Sequence, residues 1–140
     1  MSHCHKEIYL HLVWATRHRE PLLTPQIERR IHRCIQSEAE RLGVTVLAIG
    51  GLTDHVHFVV QIPANLSISD LMKQVKGVSS RFALSELVGK ENLLPYFGWQ
   101  EGYSVFSLSR SHLDKVIPYV RNQRQHHADQ TTWLTWEETD

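Results

Sequence analysis

Cysteine is scarce in this sequence: there are two, Cys4 and Cys34, spaced like neither a redox pair nor a zinc ribbon. A disulfide framework is therefore excluded as the source of stability, and free thiols in a reducing compartment are expected. No apolar run approaches the roughly 20 residues that a membrane-spanning helix needs. No basic stretch followed by an apolar one opens the sequence, so a cytoplasmic protein without a membrane partner is the expectation. An excess of either charge is also missing, because Lys+Arg and Asp+Glu both stand at 15. Net charge thus lends nothing to nucleic-acid binding, and any such role has to rest on local clusters. Low-complexity runs are absent too, and a hydrophobic content of 41% with 21% charged residues is that of a chain that folds. With 140 residues there is room for one real core rather than two.

What is present is a regular succession of periodicities. Residues 8–16 (IYLHLVWAT) are rich in β-branched and aromatic side chains and read as a strand. Residues 24–42 carry Ile27, Ile31, Cys34, Ile35 and Leu42 at helical spacing, with Thr24 as N-cap, Pro25 in the first turn, Gly43 as stop, and Arg29, Arg30 and Arg33 mainly on the outer side. Residues 44–50 (VTVLAIG) and 55–61 (HVHFVVQ) form a hairpin across Gly51-Leu52-Thr53-Asp54. A second helix is expected over 67–87, with Ile68, Leu71, Met72, Val75, Val78, Phe82 and Leu84 as its apolar set, Lys73, Lys76 and Arg81 as its cations, and Ser67 with Asp70 as a start signal. Residues 91–102 hold Pro95, two glycines, Tyr96, Phe97 and Trp99, and read as a loop that packs aromatic groups. A fourth strand follows over 103–108. A last helix, capped by Ser109 or Ser111, then runs to about His127, with Leu113, Val116, Ile117 and Val120 on one side and Pro118 interrupting it. The order β-α-β-β-α-β-α is the ferredoxin-like split βαβ plan, an α+β antiparallel sheet with helices over one face, plus one extra helix. Residues 128–140 read as a polar tail, whose Trp133 and Trp136 can dock either on the domain or on a partner.

Two constellations carry chemistry. His55 and His57 alternate along a strand, so both imidazoles point to one face with Cα atoms about 7 Å apart, within reach of one metal ion. The bare pattern is weak, since ten histidines among 140 residues give roughly 0.7 His-x-His triplets by chance, and His3-Cys4-His5 is another. Two surface or satisfied core histidines remain the alternative. Val56, Phe58, Val59 and Val60 make the strand central and buried, and two imidazoles at the edge of such a core need partners. The second constellation is Tyr119 and Gln123, four residues apart on the last helix and therefore on one face. A phenol with a pKa near 10 needs a cation or base beside it to act as a nucleophile. A tyrosine packed on the sheet with a solvated glutamine is the competing reading. Lys73, Lys76, Arg81, Arg121 and Arg124 are candidate phosphate contacts or, equally, solvated helix faces.

The strings Gly50-Gly51-Leu52-Thr53-Asp54-His55-Val56-His57, Trp99-Gln100-Glu101-Gly102-Tyr103, and Tyr119-Val120-Arg121-Asn122-Gln123 with His126-His127 resemble, in order and spacing, the single-tyrosine HUH transposases of bacterial insertion sequences, the TnpA type of the IS200-like family. Trp14 and Arg19-Glu20-Pro21-Leu22-Leu23 match as well, and the likeness runs from about Glu7 to His127. The resemblance implies a single transposase domain over 1–127, His55 and His57 as the HUH pair, Gln123 as third protein ligand, and Tyr119 as the group that attacks a DNA phosphorus. It implies a 5′-phosphotyrosine bond with a free 3′-hydroxyl. It further implies a homodimer acting on single-stranded DNA hairpins, with the tyrosine helix of one subunit able to serve the other.

The expected metal is Mg²⁺ or Mn²⁺, with imidazole donors tilting affinity toward Mn²⁺; zinc fits less well without a four-donor set. Pro118 directly before Tyr119 departs from the pattern and implies a kink, or a helix that begins near Tyr119, serving as a hinge or marking a degenerate copy. Three other functions compete. A domesticated hairpin-DNA binder would leave no covalent adduct, and a metal-dependent phosphodiesterase would survive Tyr119→Phe. A ferredoxin-like RNA binder would show paired exposed aromatics on its central strands, and none are seen.

Overall fold

Side-chain alternation along the strands decides how this sheet is covered. The computed structural model describes residues 5–91 and 93–123, so Cys4, Arg124, His126, His127 and the tail from 128 lie outside the described residues. Within them the elements are β1 (Tyr9–Ala15), α1 (Pro25–Arg41), β2 (Thr45–Leu52), β3 (His55–Gln61), α2 (Ile68–Glu86), β4 (Ser104–Leu108) and α3 (Leu113–Arg121). The sheet order is β2-β3-β1-β4 and every neighbouring pair is antiparallel. This is the α+β, ferredoxin-like split βαβ arrangement with an extra C-terminal helix that carries the tyrosine.

Leu10, Leu12 and Trp14 of β1 and Val56, Phe58 and Val60 of β3 face one side. There they meet Ile27, Ile31, Ile35 and Ala39 of α1 and Leu71, Met72, Val75 and Ala83 of α2. Each of the larger side chains contributes about 1.5–3 kcal/mol on burial. The other side of the sheet is covered as well, by the extra helix, whose face the sequence left open. Ala48 of β2 and Val59 of β3 leave an apolar patch on the second face, and Val116, Tyr119 and Val120 of α3 close over it. A register shift between Val46 and Ala48 switches the parity of β2 along its length. The extra residue places Val46 and Ile49 against the main core while Leu47 and Ala48 meet α3.

Smaller differences have local causes. Leu84 is 54% exposed because it falls off the α2 stripe, and Ala83 takes the core position instead. β2 runs on through Gly51 to Leu52, which shortens the turn to Thr53-Asp54. The last helix neither breaks nor begins at Tyr119: α3 is continuous from Leu113 through Pro118, and it follows a single tight turn at Arg110–His112. Pro118 sits on the exposed side, where the carbonyl that lost its backbone donor can turn to water. In the loop before β4, Trp99 packs edge-on to Trp14 and Phe97 and donates from Nε1 to Ser79 Oγ at 3.0 Å. Among the described residues no helix is long and apolar enough to cross a membrane.

Candidate active site

The face covered by α3 collects the polar groups that the main core excludes. His11 of β1 and His55 and His57 of β3 are all buried on it, beside Tyr119 at 2% exposure. The alternation of β3 fixes this: Val56 and Phe58 point into the main core, so His55 and His57 must point away from it. Their rings lie 5.0 Å apart between centroids at an interplanar angle of 70°. The phenol ring of Tyr119 stands edge-on to His57, 5.9 Å between centroids.

Each histidine is oriented through Nδ1. His55 Nδ1 lies 2.7 Å from Asp54 Oδ1, and because a carboxylate can only accept, Nδ1 carries the proton and Nε2 keeps its lone pair. Arg19 Nη2 is 3.4 Å from the same nitrogen; two donors cannot bond to each other, and Arg19 instead braces the carboxylate, donating from Nε to Asp54 Oδ2 at 3.3 Å. Burial opposes ionisation of Asp54, but the hydrogen bond from His55 and the charge of the Arg19 guanidinium outweigh it and hold the carboxyl below its ordinary range. The Asp54 turn is itself braced, since its carbonyl accepts from the backbone N–H of Thr16 and from the Thr16 hydroxyl. His57 Nδ1 lies 2.8 Å from His11 Nε2. The Nε2 atoms of His55 and His57 are buried, as is the amide oxygen of Gln123.

Gln123 lies one turn beyond Tyr119 and is 1% exposed. It lines a cleft of about 390 Å³ with Gly50, Gly51 and Arg121. Gly50 and Gly51 pair with His57 and Val56 across the β2–β3 ladder, so this cleft opens beside the start of the histidine strand. Both glycines are dictated by close approach. A Cβ on Gly50 would stand 2.0 Å from the Val120 carbonyl oxygen of α3, and Gly51 has φ +146° with the His55 carbonyl oxygen where its Cβ would go.

The structure therefore brings His55, His57 and Tyr119 together and sets Gln123 beside the same hairpin. It does not bring the α2 cations there. Lys73, Lys76 and Arg81 lie on the helix that packs on the opposite face, and the Lys76 ammonium donates to the carbonyls of Gln100 and Gly102 at 2.9 and 3.0 Å. Burial pushes the Lys76 ammonium below its usual range, against the opposing charge of Glu101. Arg121 borders the cleft and donates from Nη2 to the Leu47 carbonyl at 3.2 Å. Among the described residues no three His, Cys, Asp or Glu side chains form a metal-binding cluster. Sequence reasoning missed His11 and the orienting role of Asp54. The parity of β1, which sets His11 opposite the apolar Leu10 and Leu12, was the available signal.

A ferredoxin-like antiparallel sheet covered on both faces, with a third helix that lays Tyr119 against His57, defines a compact α+β protein. The sequence profile of the IS200-like transposases matches residues 4–123, and the chain belongs to that family. It is 24% identical over 120 residues to the ISDra2 transposase TnpA of Deinococcus radiodurans, covering 84% of each chain. It is 26% identical over 125 residues to the transposase for insertion sequence element IS200 of Salmonella typhimurium, covering 88% of this chain and 81% of the relative. Two solved structures share the fold. A candidate transposase from Deinococcus radiodurans superposes with a TM-score of 0.68 at 21% identity, over 94% of this chain and 95% of the other. A REP-associated tyrosine transposase bound to a REP hairpin superposes with a TM-score of 0.63 at 16% identity, over 91% of this chain and 74% of the other.

Proposed function

We propose that the protein is a transposase that cleaves and rejoins single-stranded DNA at hairpin-bearing element ends, with Tyr119 as the nucleophile. The observation that carries this reading is the phenol of Tyr119 lying against His57 on the face shared with His55, in a chain of the IS200-like transposase family. In the reaction, a bond forms between Tyr119 Oη and phosphorus as the bond from phosphorus to the 3′ oxygen breaks. The phenolic proton is lost and the departing 3′ oxygen gains one. The products are a 5′-phosphotyrosine and a free 3′-hydroxyl. One phosphodiester replaces another, so a second 3′-hydroxyl can reverse the attack and join new ends without a nucleotide cofactor.

A divalent ion, Mg²⁺ or Mn²⁺, would be held by Nε2 of His55, Nε2 of His57 and the Gln123 amide oxygen, and when bound it supplies positive charge to the phosphate under attack. Asp54 and Arg19 keep His55 in the ligating tautomer. At 2% exposure Tyr119 is buried, so attack on DNA calls for α3 to move off the sheet, toward its own site or that of a second subunit in a homodimer. Arg121 borders the cleft and is placed to meet a phosphate near the scissile bond, with Arg124 three residues further along. Lys73, Lys76 and Arg81 serve only DNA that passes the far face, such as a hairpin stem.

Incubation with single-stranded hairpin DNA and Mn²⁺, followed by a denaturing gel, tests the reading. The wild-type protein is expected to form a covalent adduct and release a 3′-hydroxyl fragment, while Tyr119→Phe or added EDTA abolishes the adduct. Cleavage that persists in Tyr119→Phe would instead make the protein a metal-dependent phosphodiesterase, and specific binding without cleavage would make it a hairpin-binding relative.

A further inference from the structure

Two imidazoles that share one hydrogen bond impose a condition on each other. His11 Nε2 and His57 Nδ1 are 2.8 Å apart, their rings tilted by 35° at 5.0 Å between centroids, and both side chains are fully buried. One of the two facing nitrogens must carry the proton and the other must accept it. If His11 donates, His57 is protonated at Nε2 and cannot ligate. If His57 donates, its Nε2 lone pair points to the Tyr119 face, and His11 is held as the Nδ1–H tautomer.

We infer that His11 is a positioning residue for the reaction: its Nε2 accepts from His57 Nδ1–H and so fixes His57 as a ligand through Nε2. This deepens the function proposed above and rests on it. The surroundings of His11 favour a fixed role. It lies in the central strand β1 between Val59 of β3 and Phe106 of β4, with the Phe106 ring 6.0 Å away between centroids. An apolar side chain would satisfy those two neighbours better than an imidazole does, so packing alone does not call for histidine here. The two ligating histidines are then held differently. His55 leans on the carboxylate of Asp54, whereas His57 leans on a neutral ring.

The test pairs His11→Phe, which keeps an aromatic ring and removes the acceptor, with His11→Gln, which returns an acceptor oxygen near the position of Nε2. Two-bond nitrogen–proton correlation spectra of the metal-free wild-type protein are recorded at pH about 8.5, well above the ordinary imidazole pKa of about 6.5. They are expected to show His57 protonated at Nδ1. His11→Phe is expected to lose that single tautomer and to bind Mn²⁺ about 10–100-fold more weakly by calorimetry, and His11→Gln to recover most of both. A wild-type His57 protonated at Nε2 overturns the inference, as does a folded His11→Phe protein with unchanged Mn²⁺ affinity. If the wild-type protein binds no Mn²⁺, the metal-assisted reading fails by itself, while the tautomer measurement still decides the role of His11.

Discussion

At the scale of single residues, the two histidines on β3 are held by partners of different strength, and that difference is measurable. A charged acceptor makes the hydrogen bond to Asp54 the stronger of the two. Asp54→Asn keeps an oxygen near His55 Nδ1 but removes the charge, and Mn²⁺ binding measured by calorimetry is expected to weaken about 10–100-fold. An unchanged affinity would mean that Asp54 serves the turn and not the ligand. Residue types at this scale were only partly legible. The period of a strand told that His55 and His57 share a face, and four-residue spacing told the same of Tyr119 and Gln123. A lone histidine between Leu10 and Leu12 gave no sign of its partner, because the partner lies 46 residues away on a neighbouring strand.

At the scale of elements, the close approach of α3 to β2 is the contact on which the site depends. The Val120 carbonyl oxygen occupies the space that any Cβ at position 50 would need. Gly50→Ala is therefore expected to push α3 off the sheet, lower stability by about 1–3 kcal/mol in urea unfolding, and reduce adduct formation. Wild-type stability in this variant would show that the helix does not rest there. Pro118 sits in the same helix without breaking it. As a hinge, it would let α3 detach with one fewer backbone bond to lose. Pro118→Ala is then expected to raise the melting temperature and slow adduct formation, and an unaltered rate removes the hinge.

The bounds of β3 agree with the sequence reading residue for residue, since a period-two run flanked by turn residues leaves little freedom. The face chosen by α3 was not legible. Leu113, Val116, Ile117 and Val120 show an apolar stripe but not which side of a sheet it covers. The register shift at Val46 and Ala48, which prepares that side, has no signature in VTVLAIG.

At the scale of the whole molecule, charge and chemistry are split between the two faces of the sheet. The histidines, Tyr119 and the neighbouring Arg121 lie on the α3 side, and the cations of α2 lie across the core from them. A balanced net charge thus says nothing of which face each cation occupies, and composition alone could not reveal it. DNA that touches both faces has to wrap around an edge of the sheet, as a folded hairpin with a single-stranded extension can do. The proposed reaction turns on a single event: one named phenol becomes bonded to DNA. The most direct measurement is peptide mapping by mass spectrometry of the adduct formed on single-stranded hairpin DNA with Mn²⁺. A nucleotide mass is expected on the peptide that contains Tyr119, and on that residue within it. Attachment at any other residue, or cleaved DNA with every peptide unmodified, would contradict the proposed reaction.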